Sequence, residues 1–430
     1  MTKAWTYNSI HSTLAVIQTT HHGVWNHLFP AVTVCNHNLV SLKKARKFVN
    51  ELKYLQGFSR DYVLKEMQLL AEMVDPGIFG YDVYFNLTAL QNVFHANNYT
   101  APQIMKLVKQ DCSVLLRNCK WKGETESCED IFEEVYVRDG ICCSFNFFHN
   151  NTKINNGRRP QQVSACGYQT ALSFEVHPEP EDYHVALYPS YGVKTLIHYP
   201  YDHPYRSCQY KLISLGVQNF MNVKPQEFYS TRNTKSLPLR SRQCLSENDQ
   251  VPEPLQLLMR NYTMLKYSYV NCLTNCRTSV VVNECGCAPF YVPQNRTSLI
   301  LIAYRIWFFT FLYRHVQTIV LDTRVCNLRD LICMKKIQRL YDMSWPTLDM
   351  YSDDLLEADI DITTRPCGCL PDCTIYSYPL YSTQAHLQKA YTSSRLSEDA
   401  GNFGNFSIIN VFYEDLVTTR YRRDHLLEVY

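Results

Sequence analysis

Cys272-Leu-Thr-Asn-Cys276-Arg-Thr-Ser-Val280-Val-Val-Asn-Glu-Cys285-Gly286-Cys287 is the stretch on which the fold turns. Its spacing returns in reverse farther along, where Cys367-Gly368-Cys369 overlaps Cys369-Leu370-Pro371-Asp372-Cys373. Cys326 and Cys333 lie between the two groups and Cys244 ahead of them, so ten of the eighteen cysteines fall in one mirrored array. Residues four apart share a helix face, so Cys272, Cys276 and Val280 predict a helix with two thiols on one side. Structural disulfides and metal centres both produce such density. Zinc modules usually space their thiolates as Cys-x2-Cys near histidine, and no Cys-x2-Cys occurs here, so disulfides are the better reading.

A disulfide framework needs an oxidising compartment. Six Asn-x-Ser/Thr acceptors, at Asn86, Asn98, Asn150, Asn261, Asn295 and Asn405, point the same way. The chain is therefore expected to be extracellular or luminal. Residues Met1 to Phe29 lack the continuous apolar core of a signal peptide and carry four histidines, so further sequence is expected upstream. With 46% apolar and 19% charged residues over 430 positions, a sizeable core is possible and wholesale disorder is not. The length alone suggests about two to four domains or one large elaborated one. A net charge of +2 offers no electrostatic reason for a nucleic-acid partner.

Enzyme signatures are missing. There is no Gly-x-Ser-x-Gly elbow, His-Glu-x-x-His pair or phosphate-binding glycine loop, so no catalytic or cofactor-binding residue is assigned and no cofactor is expected. His21-His22 and His198-x4-His203 could be metal ligands, but partly buried or solvated histidines are the simpler account, and no metal site is assigned. The short basic runs Arg158-Arg159 and Arg420 to Arg423 read as solvated faces.

Along the chain, residues 26–45 predict a β-branched strand opened by Pro30 and stopped at Asn36. Apolar spacing predicts helix within 41–75, ended by Pro76-Gly77, and again around Gln103 to Leu116. Alternation from Ile141 to Tyr201 predicts a meander of strands, residues 326–341 suit a helix, and Ile408 to Tyr413 turns strand-like. Thirty-one tyrosines against fourteen glycines also favour strand-rich, half-buried surfaces. The fold class is α+β. Ser298 to Leu321 is long and apolar enough to span a bilayer but contains Arg305, Arg314 and His315. A single crossing there would place Cys287 and Cys326 on opposite sides of the membrane. An apolar surface insertion, or sequence foreign to the mature protein, is expected instead.

These motifs meet a resemblance. Phe29-Pro30-Ala31-Val32-Thr33-Val34-Cys35-Asn36-x-Asn38 resembles the opening ectodomain strand of the degenerin/epithelial sodium channel family, and Gly140-Ile141-Cys142-Cys143-Ser144-Phe145-Asn146 resembles another of its segments. Tyr267-Ser268-x3-Cys272-x3-Cys276, Cys285-Gly286-Cys287-x-Pro289 and Cys367-Gly368-Cys369-Leu370-Pro371-x-Cys373 are similar to its thumb signature. Gly192-Val193-Lys194-x-Leu196-Ile197-His198 and Val411-Phe412-Tyr413-Glu414-Asp415-Leu416 resemble the insect pickpocket branch.

The resemblance implies a disulfide-rich ectodomain with an antiparallel palm sheet, a small β-ball, and finger, knuckle and thumb helices. It implies five thumb bridges: Cys244 with Cys373, Cys272 with Cys369, Cys276 with Cys367, Cys285 with Cys333, and Cys287 with Cys326. Cys35 with Cys142 and Cys119 with Cys128 follow, leaving Cys112, Cys143, Cys166 and Cys208 unassigned. It divides the ectodomain, residues 1–430, into a first palm strand region (5–40), a finger-like region (41–138) and palm and β-ball strands (139–243). The laddered thumb (244–373), with an atypical insertion at 298–322, and a knuckle with the last palm strand region (374–430) complete it.

By the same resemblance, the chain is the extracellular part of a trimeric, amiloride-sensitive sodium or cation channel subunit at the cell membrane, opened by an unidentified extracellular ligand or mechanical stimulus. Its partners would be homologous subunits, the membrane through flanking helices absent from this chain, and sodium ions through a pore that it lacks. Residues 5–40 and 405–430 should then lie together. The alternative is a secreted, disulfide-rich ligand-binding protein derived from such an ectodomain. An extracellular enzyme or protease inhibitor is a weaker third reading, without a signature to carry it. The insertion at 298–322 is expected to be untrimmed intron or mispredicted exon. Sequencing the spliced message tests this, and a transcript still encoding Trp307 to Tyr313 would refute it.

Overall fold

The computed structural model describes residues 13–78, 84–148, 159–204, 208–247, 249, 267–292, 299–300, 320–321, 324–342, 367–387 and 404–425. In chain order the strands are β1 (Thr13–Gly23), β2 (Ala31–Asn36), β3 (Asn38–Ser41), β4 (Leu116–Trp121), β5 (Glu124–Thr125) and β6 (Phe132–Val137). There follow β7 (Gly140–Phe145), β8 (Leu172–Val176), β9 (Tyr183–Ala186), β10 (Gly192–His198), β11 (Gln209–Ser214), β12 (Val217–Val223) and β13 (Gln226–Ser230). The last are β14 (Leu299–Ile300), β15 (Val320–Leu321), β16 (Thr374–Ser377), β17 (Leu380–His386), β18 (Ser407–Tyr413) and β19 (Val417–His425). The α+β class is as the sequence predicts.

The chain forms two compact units. One takes residues 1–51, 105–249 and 370–430, the other residues 52–104 and 250–369. The first unit holds three sheets, ordered β1-β19-β13-β16, β11-β10-β2-β7-β6 and β17-β12-β18-β8-β4-β5, with β3 and β9 as a separate pair. Pairing is antiparallel except for β12 with β18 and β13 with β19, which run parallel. In β12 the period-2 pattern is clean: Val217, Asn219, Met221 and Val223 are buried and the residues between them half-buried. All seven residues of β10 are buried, as expected of an interior strand covered on both faces.

The core of this unit is aromatic. Phe29 packs against Trp121, Phe145 and Tyr413 with ring centroids 5.0, 6.1 and 5.4 Å away, and Phe132 meets Phe174 edge-on at 5.2 Å. The Asn146 side chain donates to the Phe29 carbonyl and accepts from the Gln161 N–H. Asn146 sits in the left-handed region at φ 57°, which asparagine tolerates better than most residues. The two amino-terminal sequence motifs thus hold one another.

Three expectations need correction. The helical stretch 41–75 is broken: Leu42–Glu51 ends, Gln56 and Gly57 turn left-handed, and Ser59 caps a new helix, Arg60–Glu66, by accepting from the Tyr62 N–H. A 3-10 helix, Met67–Met73, continues it. The helix around Gln103 to Leu116 is two, Ala101–Val108 and Cys112–Leu115, and Leu116 already belongs to β4. The strands between Ile141 and Tyr201 are not a meander, because β7 and β10 join one sheet, β8 another, and β9 pairs with β3. Alternation fixes which face a residue takes and says nothing about the neighbouring strand.

Two of the three buried polar side chains in β10 are partnered, while the Thr195 hydroxyl has no hydrogen-bond partner. Lys194 Nζ lies 2.9 and 2.8 Å from the two Asp139 oxygens. His198 Nδ1 is 3.1 Å from the Tyr199 carbonyl, which can only accept, so Nδ1 carries the proton and Nε2 accepts from Thr33 at 2.9 Å. Thr33 Oγ1 is in turn 2.7 Å from Ser144 Oγ. Burial pushes the His198 pKa down to about 4. The native state therefore keeps this imidazole neutral, while the unfolded chain protonates it below about pH 6.5. Its contribution is complete above that pH and is lost as the pH falls from about 6.5 toward 4, on the order of 3 kcal/mol in all. Urea unfolding across this range should fall more steeply for the unmodified chain than for His198→Gln. Parallel curves would disprove the assignment.

Candidate functional site

Two features carry what the motifs imply: the cross-linked helical unit, and the sheet in which both ends of the chain meet. The helix Tyr269–Cys285 begins at Ser268, whose side chain accepts from the Asn271 N–H, and ends at Gly286, left-handed at φ 66°. Gly368 repeats that conformation at φ 65° between Cys367 and Cys369. Only glycine enters this region without steric cost, which gives both Cys-Gly-Cys motifs a physical reason. Cys272 joins Cys369 and Cys276 joins Cys367, so the two thiols on one helix face meet an antiparallel Cys-x-Cys run as successive rungs. Cys285 joins Cys333 on the packed helix Leu331–Asp342, and Cys287 joins Cys326. Asn327 and Asp330 form a capping box ahead of that helix, and Arg324 clasps Asp330 with two contacts of 2.6 Å.

In the other unit Cys244 joins Cys373, Cys35 joins Cys142 and Cys119 joins Cys128. Cys112 and Cys143, which the sequence left unassigned, are also bridged. Neighbours on a strand point to opposite faces. Cys142 and Cys143 on β7 thus serve different partners, one toward β2 and one toward the short helix Cys112–Leu115. Cys166 and Cys208 are unbridged and half-buried. Of the acceptor asparagines, Asn98 is exposed and Asn86 and Asn405 half-buried, while Asn150, Asn261 and Asn295 lie outside the described residues. So does most of 298–322, where β14 and β15 pair antiparallel.

β1 and β19 run antiparallel from Thr13 opposite His425 to Gly23 opposite Val417, so the described ends of the chain lie side by side. Val24 N–H then donates to the Leu416 carbonyl. One row crosses the whole sheet: Thr19 on β1, Arg420 on β19, Glu227 on β13 and Tyr376 on β16. Arg420 engages both Glu227 oxygens, at 2.7 and 3.0 Å, and covers the Tyr229 ring at 4.1 Å. Arg423 covers Phe228 at 5.1 Å. The basic run Arg420 to Arg423 is therefore half-buried and partnered, not the solvated face expected from its composition.

At the end of β1 the 3-10 turn Val24–Asn26 is followed by His27, which packs against His22 and Tyr376. His22 and His27 meet edge-on at 5.1 Å, and His22 Nε2 lies 3.7 Å from Glu227 Oε2. His27 packs edge-on to Tyr376, which stacks on Tyr199 at 5.0 Å. Burial pushes the His27 pKa down to about 4, with His22 adding to the shift. Burial, then the charge of Arg420, also lowers His22, against the opposing pull of Glu227. Sequence reading noticed His22 but passed over His27 and Glu227, because only strand register brings the three together. Among the described residues no helix is long and apolar enough to cross a membrane.

A family model for the amiloride-sensitive sodium channel matches residues 2–430. The chain belongs to the amiloride-sensitive sodium channel family. It is 27% identical over 321 residues to the Drosophila melanogaster sodium channel protein Nach, covering 71% of this chain and 53% of that protein. It is 23% identical over 301 residues to Drosophila melanogaster pickpocket protein 28, covering 62% and 44%. To the Mus musculus bile acid-sensitive ion channel it is 25% identical over 285 residues, covering 64% and 49%. Likeness to both Nach and pickpocket proteins supports the insect pickpocket-like branch of this sodium channel family. The chain spans about half the length of the curated relatives it matches.

The ladder predicts its own energetics. Replacing Cys276 and Cys367 together with alanine should cost about 2–4 kcal/mol, since that rung restricts a long loop of the unfolded chain. Urea titration of the doubly substituted chain measures this, and an unchanged midpoint would mean the rung adds nothing.

Proposed function

We propose that this chain is the extracellular part of a trimeric amiloride-sensitive sodium or cation channel subunit, gated by an extracellular stimulus. The pairing of β1 with β19 supports this reading most directly, because helices entering and leaving one pore must start from neighbouring points. On this reading residues 5–40 and 405–430 face the membrane as the first and last palm strand regions, and 244–373 is the thumb. Stacked disulfides make that segment stiff enough to carry a displacement without bending. Asn86, Asn98, Asn150, Asn261, Asn295 and Asn405 would carry glycans, and no catalysis is involved.

Expression of the full-length transcript product in oocytes tests the proposal. The expected result is a sodium current that amiloride blocks, with surface cross-linking that yields trimers. A transcript encoding an upstream signal peptide and a stop after Tyr430, with protein recovered from the medium, would instead establish a secreted binding protein.

A further inference from the structure

We propose that His22, His27 and Glu227 form a binding site for a divalent transition-metal cation of the zinc class. One imidazole nitrogen from each histidine and one carboxylate oxygen of Glu227 lie within 4.8 Å of one another. A tetrahedral ion with bonds of about 2.0–2.1 Å holds its ligands about 3.4 Å apart, so a contraction of up to about 1.4 Å completes the set. His22 and Glu227 already stand at 3.7 Å.

The second observation comes from His27. This residue is only 1% exposed, yet its Nε2 has no hydrogen-bond partner. A buried nitrogen without a partner carries a desolvation cost that coordination would offset. Arg420 does not close the site. Each carboxylate oxygen has two lone pairs, and Arg420 engages each oxygen once, leaving capacity on Oε2 beside His22. Its positive charge weakens the site without blocking it, and its grip fixes the orientation of Glu227 as an outer-shell partner does. The side chain of His22 is 17% exposed, so water can supply a fourth ligand.

The donor set selects the ion. Two imidazoles and one carboxylate suit Zn2+, Ni2+ or Cu2+. Calcium and magnesium need about six oxygen ligands, and one carboxylate cannot provide them. A second group of potential ligands, Cys287, Cys326 and Asp330, is disqualified because its two sulfurs are bonded to each other. A bound ion would tie the end of β1 to β13, the strand that also pairs with β19. Extracellular metal would thereby stiffen the sheet in which both ends of the chain meet. The inference uses these side chains alone and stands whether or not the chain serves a pore.

Cobalt(II) chloride titrated into the purified, fully oxidised chain tests it, with Cys166 and Cys208 replaced by serine to remove thiol ligands. The expected result is one cobalt per chain with visible ligand-field absorption, abolished by zinc chloride. His22→Gln, His27→Gln and Glu227→Gln should each weaken binding by about tenfold or more, while the exposed His386→Gln should leave it unchanged. His22 is half-buried, so its variant is the one expected to keep the native near-ultraviolet circular dichroism. Absence of zinc-displaceable cobalt binding in the thiol-free chain would overturn the site. So would unchanged affinity in a natively folded His22→Gln chain.

Discussion

The Leu28 carbonyl accepts two tyrosine hydroxyls, Tyr413 at 2.8 Å and Tyr378 at 3.0 Å, and much of the first unit depends on that meeting. Both rings are buried, and burial pushes both phenol pKa values well above their usual range, so the hydroxyls stay protonated and donate. A buried hydroxyl without a partner would cost about 1–3 kcal/mol, so the two tyrosines hold Leu28 firmly in place. Phe29 is thereby set among Trp121, Phe145 and Tyr413, and Ala31 can start β2 in register with β7 and β10. On the other side of Leu28 the chain turns through Val24–Asn26 into β1. One carbonyl thus fixes where two sheets begin.

Disulfides supplement this core where apolar packing is thin. The helix Tyr269–Cys285 buries Asn271, Asn275 and Thr278 alongside Leu273, Val280, Val281 and Val282, so it lacks a clean apolar stripe. A helix with polar residues on its inner side gains less from burial than an amphipathic one. Its three bridges, with a fourth at Cys287 just past its end, compensate by restricting the unfolded chain. Elsewhere Cys142 and Cys143 stitch β7 from both faces, one bridge lying in each of two hydrophobic clusters. The extracellular setting expected from the sequence is what makes this device usable.

How far the sequence foretold all this depends on range. The helix carrying Cys272 and Cys276, the strand from Ala31 to Asn36, and the strand at Ser407–Tyr413 were legible because their signals are local: an i, i+4 pair, a proline and a short run of β-branched and aromatic residues. The break at Gln56-Gly57 was missed because apolar spacing continues across it. Seven disulfide pairs followed from family resemblance, and the structure joins the same cysteines. The eighth, Cys112 with Cys143, had a readable half, since strand geometry sends Cys143 away from the partner of Cys142. Its other half required the tertiary fold. His27 and Glu227 gave no signal at all, being 200 residues apart by number and neighbours only through β1, β13 and β19.

The opposition of Thr13 and His425 has a temporal meaning as well. Ribosomes add about 5–20 residues per second, so β1 waits tens of seconds for the strand that will cover it. Throughout that interval its polar backbone edge is a template open to any passing strand. Leu14 and Ile17, the large exposed apolar residues of β1, sharpen the hazard. Biogenesis must therefore shelter the nascent amino-terminal segment, and an oxidant of the compartment can take two electrons and two protons from the Cys35 and Cys142 thiols and join them long before the sheet around His22 is whole.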